Sequence, residues 1–541
     1  MNRELCAACI QEGKAILGME LGSTRIKAVL IDECHTPIAI GVHEWENRLE
    51  NGVWTYRIAD VWTGIRHAYA ELKAAVKEQY GVVLTRLAGA GISAMMHGYL
   101  PFDKDGVQLT PFRTWRNTMT ARASKELTEL FGFNIPQRWS IAHLDQAILN
   151  GEAHVHSIAF LTTLAGYVHW KLTGRKVLGI GDASGMFPIG DDTGNYDARM
   201  MTLYGARAAA KGCALRLADI LPEVCKAGED AGFLTNEGAK LLDPSGDLEA
   251  GCPLCPPEGD AGTGMAATNS VGARTGNISA GTSVFAMVVL DKPLSKVYPE
   301  IDMVATPTGK PVAMVHCNNC TSDINAWVDM LSGFVKATGL NVSKADIYTT
   351  LFQSAMDGEK DCGGLINYNF LSGEPVVGVE EGRPMLVRLP GTPLTFQNFS
   401  RSLVYGAIAA LRIGMDILAK ERVRIDSLLG HGGFFKTPGT AQKLLAAALR
   451  TPVSVMETAG DGGPWGMALL AAYRAHGAPG QTLESYLSDR VFFGATASLA
   501  TCDEADAAGF DSYVELFQKG ISAEKAAAGL VKGIPNLQES K

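Results

Sequence analysis

The chain has 541 residues and a mass of 57.6 kDa, with 47% hydrophobic and 19% charged residues and a mean hydropathy of +0.06. That size predicts two to four domains, and the balance excludes a disordered chain. Lys+Arg total 48 against 57 Asp+Glu, a net charge of -9 without a basic cluster, so no nucleic-acid partner is expected. The most apolar stretch, 402–418, is interrupted by Arg412 and Asp416, and residues 1–14 lack the apolar core of a secretory signal. No membrane partner and a cytoplasmic location are therefore expected.

In chain order, residues 15–32 (AILGMELGSTRIKAVLID) read as a strand, a Gly-Ser-Thr turn and an apolar strand. Residues 60–80 place Val61, Ile65, Ala68, Leu72 and Val76 on one face, with Lys and Glu opposite, and predict an amphipathic helix. Gly89-Ala-Gly91-Ile-Ser-Ala94 matches the loose dinucleotide pattern G-x-G-x-x-A. Met95-Met96-His97-Gly98 and Pro101 follow it, so no long helix can start there to hold a pyrophosphate, and that reading is rejected. An apolar helix is expected over 160–172. A second strand, Gly-Thr-Ser turn and strand follows at 276–290, about 260 residues after the first. Helices are expected over 402–422, over 440–450 and after Gly466, then over 511–519 and 523–532 in a C-terminal appendage without assigned chemistry. Strands alternating with helices, and two halves that each open on a hairpin, predict an α/β architecture.

Eleven cysteines include three C-x-x-C pairs, Cys6/Cys9, Cys252/Cys255 and Cys317/Cys320. The second and third pairs are too far apart for a zinc ribbon, and ordinary reduced thiols are the expected reading, with a zinc-dependent protein as a rival.

There is no G-x-x-x-x-G-K-[ST] segment, so a P-loop is excluded. The tips Gly22-Ser23-Thr24 and Gly281-Thr282-Ser283 each offer backbone N–H groups and hydroxyls in one tight turn, a natural cradle for phosphate oxygens, although most such turns are only turns. Glu20 sits two residues before the first tip, where a carboxylate makes sense if Mg²⁺ lies between it and a phosphate. Asp260 opens a small-residue helix. It reads as a helix cap or as an acceptor for the proton of an attacking hydroxyl.

Taken together these residues resemble the FGGY carbohydrate kinases. The similar motifs are Glu20-Leu-Gly-Ser-Thr24, Ile92-Ser-Ala-Met-Met-His-Gly98, Thr114-Trp-Arg-Asn-Thr118, Gly181-Asp-Ala-Ser-Gly185, Gly259-Asp260, Ser279-Ala-Gly-Thr-Ser283, Gly430-His-Gly-Gly-Phe-Phe-Lys436 with Gln442, and Gly466-Met-Ala-Leu-Leu-Ala-Ala472. The resemblance spans about 15–480. It implies two ribonuclease-H-like domains of the actin/hexokinase ATPase type with an interdomain cleft. Residues 1–14 would be a tail, 15–270 the N-terminal sugar-binding domain with the first phosphate hairpin, 271–480 the C-terminal ATP-binding domain and 481–541 the appendage.

It also implies ATP-dependent phosphorylation of a small sugar, with ATP and Mg²⁺ as cofactors and a homodimer as the candidate assembly. Asp260 would be the general base and would also contact the sugar. Met96 and His97 match the Met-His-Gly of the xylulokinase branch and would touch the sugar, as would Trp115 and Asn117. For His97, a satisfied loop histidine is the alternative. Gly22, Ser23, Thr24, Gly281 and Thr282 would hold ATP phosphates, Gly432 and Gly433 would let the chain pass close to adenosine, and Phe434 would add an aromatic wall there. Glu20 would meet Mg²⁺ through water.

Three positions depart from the family pattern: Glu20 for Asp, Asn117 for an acid, and Phe434-Phe435 for small residues. The expected substrate is a ketopentose such as xylulose or ribulose, with another ketose or a polyol as runner-up. A non-catalytic ATP-binding switch of the same fold is the rival from another class.

Overall fold

In the computed structural model, which describes residues 2–190, 193–437, 439–456 and 462–530, the chain forms two compact units. Unit 1 comprises Met1–Ala273, Met303–Val312 and Asp461–Gly494. Unit 2 comprises Arg274–Asp302, Ala313–Gly460 and Ala495–Lys541.

Unit 1 is built on a five-stranded mixed sheet. The order is Glu258–Gly259, Gly89–Ala94, Ile16–Leu21, Arg25–Ile31, Pro37–Glu44. The first three run parallel, and the last three form an antiparallel meander. The helices Ile58–Tyr80 and Gly462–His476 cover the sheet, so its central strands are buried along nearly their whole length and read as continuous apolar runs. The Ile58–Tyr80 helix buries Val61, Ile65, Ala68, Leu72 and Val76, the face that the 3.6-residue period indicates, and ends on Gly81 in the left-handed conformation.

Unit 2 repeats the plan. The hairpin Thr275–Ala280 and Val284–Val289 is antiparallel, and its first strand pairs in parallel with Ser427–His431, which pairs in parallel with Val453–Met456. The full sheet has seven strands. The Phe396–Lys420 helix is long and apolar enough to cross a membrane by length and composition, but 72% of its apolar window is buried inside the protein. Its charges Arg412 and Asp416 pair with each other at 2.7 Å.

Several elements differ from the expected ones. Residues 160–162 form a strand and the helix is Leu164–Thr173, because Thr163 caps it by accepting from the Gly166 N–H. The helix expected after Gly466 spans Gly462–His476 and packs with unit 1. The two short helices expected in the appendage are one helix, Glu504–Leu530, with the last two expected positions outside the described residues. Gly520 does not break it: a Cβ there would collide with the Tyr368 hydroxyl, so this glycine permits a close approach. Nor is the segment an appendage. Tyr513 and Phe517 are buried against Tyr405 and Tyr368 of unit 2, and Asp506 pairs with the buried Arg401.

Candidate functional site

Three parallel strands of unit 1 end level with one another. Leu21 pairs with Ala94, and Ala94 with Gly259, so the residues around these ends converge at one edge of the sheet. The crevice beyond the carboxyl ends of parallel strands is where α/β folds place their ligands. Glu20 precedes the first of these ends, Met95 and Met96 follow the second, and Asp260 follows the third. The Met95 N–H donates to the Leu21 carbonyl at 3.0 Å, and the next N–H, of Met96, donates to Asp260 Oδ1 at 3.2 Å. Asp260 is the first residue of the Asp260–Ala267 helix, and the same oxygen accepts from the Ala261 N–H at 3.0 Å.

The carboxyl of Glu20 lies against the start of the Gly462–His476 helix, where a Cβ on Gly463 would collide with it. Burial pushes its pKa up to about 8, the Asp260 charge pushes the same way, and Lys27 opposes both. Asp260 reaches solvent, yet enough protein crowds its carboxyl to raise its pKa as well, against the N–H groups of Met96 and Ala261. A carboxyl whose ionisation burial and the nearby Asp260 charge both oppose, beside that second carboxyl, offers oxygens suited to a hard divalent cation. Among the described residues no group of three or more His, Cys, Asp or Glu could hold a metal by itself. A cation here would keep waters and take further oxygens from a phosphate, and Mg²⁺ fits that description.

Behind Asp260 lies a second acid pair, of which Asp182 belongs to the Gly181-Asp-Ala-Ser-Gly185 motif and Glu258 to none. Glu258 is buried, and its two oxygens accept from the N–H groups of Gly181 at 3.2 Å and Asp182 at 2.9 Å. A Cβ on Gly179 or Gly181 would collide with this carboxyl, so the two glycines make the recess that holds it. Asp182 is also buried and accepts from the Thr163 hydroxyl at 2.6 Å. Burial raises Glu258 to about 8, with the Asp182 charge adding to it, and raises Asp182 to about 7, with Asp260 adding.

The expected sugar contacts are distributed unevenly. Met96 is buried over Gly259 and Gly185 and offers its backbone N–H to Asp260. His97 has a left-handed backbone (φ 71°), is buried, stacks on Trp139, and sets Nδ1 3.3 Å from the Gly185 carbonyl. Trp115 is 37% exposed. Asn117 is not available as a sugar contact. It is buried, its Oδ1 accepts from the Trp54 N–H at 2.9 Å, and its Nδ2 donates to the Trp54 and Thr114 carbonyls.

Around the first tip, the Gly22 N–H closes the turn on the Arg25 carbonyl. The carbonyls of Gly22, Ser23 and Thr24 accept from Trp45 Nε1, the Tyr56 hydroxyl and the Trp45 N–H. Around the second tip, the Gly281 carbonyl accepts from the Thr321 N–H and hydroxyl, and the Thr282 carbonyl from the Cys320 N–H. The 317–320 cysteine pair thus belongs to the loop that supports this tip. Asn319 in that loop is bolted to the buried Glu374, which accepts from its N–H and from Nδ2.

Of the remaining unit 2 residues, only Phe434 departs from the expected role. Gly432 is in the left-handed half of backbone space (φ 102°), and a Cβ there would strike the Ala280 carbonyl, so its glycine serves strand packing. Gly433 is open. Phe434 is no pocket wall: it is fully buried, edge to face with Phe352 and Phe435. Gln442 donates to the Val453 and Ser498 carbonyls and holds the sheet edge.

Two domains with the same hairpin-led sheet define the actin/hexokinase type of ATPase fold. Residues 15–246 match the N-terminal domain, and residues 276–475 the C-terminal domain, of the FGGY family of carbohydrate kinases. The chain belongs to that family and is a sugar kinase that uses ATP. It is 22% identical over 443 residues to a xylulose kinase of Haemophilus influenzae, covering 78% of this chain and 83% of that one. Its fold is similar to the gluconate kinase of Lactobacillus acidophilus (TM-score 0.77, 17% identity, 95% of this chain and 99% of that one). It is also similar to the Plasmodium falciparum glycerol kinase with ADP (TM-score 0.72, 14% identity, 96% and 99%).

Proposed function

We propose that the chain transfers the γ-phosphoryl group of ATP to a hydroxyl of a ketopentose, xylulose or ribulose, with Asp260 as the general base. The observation that carries this reading is that Asp260 and Glu20 stand at the level strand ends, near enough for the Asp260 charge to oppose the ionisation of Glu20, beside the Gly22-Ser23-Thr24 tip. Asp260 accepts the proton of the attacking hydroxyl, whose oxygen forms the new bond to the γ-phosphorus while the bond to the leaving ADP oxygen breaks. A carboxyl raised above its ordinary value is a stronger base towards that proton than a solvated aspartate. The tips Gly22-Ser23-Thr24 and Gly281-Thr282 hold phosphate oxygens with N–H and O–H groups. Mg²⁺, held by Glu20 through water, would neutralise charge on the phosphate oxygens.

The Met96-His97 loop and the likeness to a xylulose kinase favour a ketopentose, and the fold's likeness to gluconate and glycerol kinases makes those two compounds the comparison substrates. The test is ADP release with xylulose, ribulose, gluconate and glycerol in turn. A ketopentose is expected to give the highest kcat/KM, and Asp260→Asn is expected to lose about a hundredfold or more of it while still binding ATP. Stimulation by glycerol or gluconate alone overturns the substrate, and a near-normal Asp260→Asn enzyme overturns the base.

A further inference from the structure

The first hairpin tip is aimed by two side chains that lie outside every motif the family resemblance rests on. In a trans peptide the C=O and the following N–H point in opposite directions, and no cis bond is present among the described residues. Fixing the Gly22 carbonyl therefore fixes the direction of the Ser23 N–H, and fixing the Ser23 carbonyl fixes that of the Thr24 N–H. Trp45 Nε1 holds the first at 2.8 Å and the Tyr56 hydroxyl holds the second at 2.6 Å. The Trp45 N–H adds a third bond, to Thr24 at 3.1 Å. The N–H groups of Ser23 and Thr24 and the Thr24 hydroxyl have no hydrogen-bond partner among the described residues, and Thr24 is exposed, whereas the Ser23 hydroxyl lies beside that of Tyr56.

The two donors are themselves held firmly. Tyr56 is buried and Trp45 nearly so, and their rings stack at 4.2 Å with an interplanar angle of 28°. Tyr56 follows the short strand Val53–Thr55, which Asn117 grips through the peptide of Trp54. In unit 2 the same task falls to main-chain donors and one hydroxyl, at residues 320 and 321. Among the described residues, unit 1 alone holds tip carbonyls, those of Gly22 and Ser23, by aromatic side chains without a main-chain donor beside them.

We infer that Trp45 and Tyr56 are positioning residues for nucleotide phosphate: they pull the tip's carbonyls to one side and leave its N–H groups facing the anion. This rests on the reading of the first hairpin as a phosphate holder. Tyr56→Phe removes one oxygen and keeps the ring stack, and Trp45→Phe removes the indole N–H. The experiment measures the affinity for Mg-ATP by titration, together with the separate KM values for ATP and sugar and the melting temperature. Tyr56→Phe is expected to weaken Mg-ATP binding about tenfold, the cost of one buried carbonyl left without its donor. The sugar KM should stay within about twofold. Trp45→Phe should act in the same direction. Thr321→Val, which leaves the Gly281 carbonyl its backbone donor, should do less.

A selective rise in the ATP constant supports positioning, because general loosening would lower the melting temperature and weaken both substrates alike. Equal weakening of both substrates, or unchanged ATP binding by Tyr56→Phe while the wild type binds Mg-ATP, overturns this inference alone. A wild-type chain that binds no Mg-ATP overturns the function and this inference together.

Discussion

Asn117 pairs with Trp54 much as one strand pairs with another: its Oδ1 accepts from the Trp54 N–H at 2.9 Å and its Nδ2 donates to the Trp54 carbonyl at 2.8 Å. An aspartate could accept but not donate. The departure from the family's acid is thus explained by a peptide that needs both a donor and an acceptor. The guanidinium of Arg116 lies 3.9 Å from the centre of the Trp54 ring, so the short strand is gripped at its backbone and its side chain.

Asn117→Asp, which would restore the family residue, is expected to destabilise the protein. It sets an oxygen against the Trp54 and Thr114 carbonyls, and unmade buried bonds of this kind cost about 1–3 kcal/mol. Urea unfolding of this variant beside Trp115→Ala separates the two positions, since the 37% exposed Trp115 should cost far less. An unchanged midpoint for Asn117→Asp would show that the amide does not secure this strand.

Glu258→Gln tests the recess behind Asp260. The two N–H groups of Gly181 and Asp182 each meet a different oxygen of Glu258, and an amide supplies only one. The NH₂ would face an N–H, and the strand that leads directly into Asp260 would shift. The expected outcome is a loss of about 1–3 kcal/mol in stability and a lower kcat with a nearly unchanged ATP affinity. Normal kcat would show that Asp260 is placed without this support.

Both hairpins, the apolar face of the 58–80 helix and Asp260 are legible in the sequence because each is a local pattern: an alternation, a period or a turn. What is not legible depends on contacts between distant positions. Trp45 and Tyr56 reach backbone carbonyls more than twenty residues away, and a side chain bonded to a peptide leaves no motif. Glu258 could have been suspected from Gly179 and Gly181, where a side chain would collide with the carboxyl they admit. The burial of Phe434 is hidden from the sequence for a related reason. A motif fixes its place in the chain, but its burial against Phe352 is set by a helix some eighty residues earlier.

Arg401 shows that the C-terminal helix is structural. Its side chain is fully buried, donates to the Tyr405 hydroxyl at 2.7 Å and to the Ala355 carbonyl at 3.2 Å, and pairs with Asp506 near the start of that helix. Asp506→Ala would leave a buried guanidinium without its anion, an expected cost of about 3–5 kcal/mol. Replacing both partners by apolar residues of similar volume should recover much of it. Denaturant midpoints of the single and double variants decide the point; a mild Asp506→Ala would mean that neither Arg401 nor Lys360, which also reaches Asp506 at 2.6 Å, needs this anion for the fold.

Glu20 links the site to pH. Its native pKa of about 8 lies above that of a free glutamate, so between about pH 4.5 and 8 the native state binds more protons than the unfolded state. Stability therefore falls as pH rises through this window, and the whole cost is present above pH 8. Asp182 and Glu258, raised to about 7 and about 8, add to the slope with the same sign. Glu20→Gln removes the ionisation but keeps the shape. It should leave the melting temperature nearly unchanged at pH 5 and raise it at pH 9. Mg²⁺ should do for the wild type at pH 9 what the substitution does, because a cation compensates the charge that burial penalises, and it should do less for Glu20→Gln. Melting curves of both proteins at the two pH values, with and without Mg²⁺, give all the terms. A wild type as stable at pH 9 as at pH 5, or a variant that gains nothing at the higher pH, would mean that the Glu20 carboxyl is ionised at no cost and is not held ready for a cation.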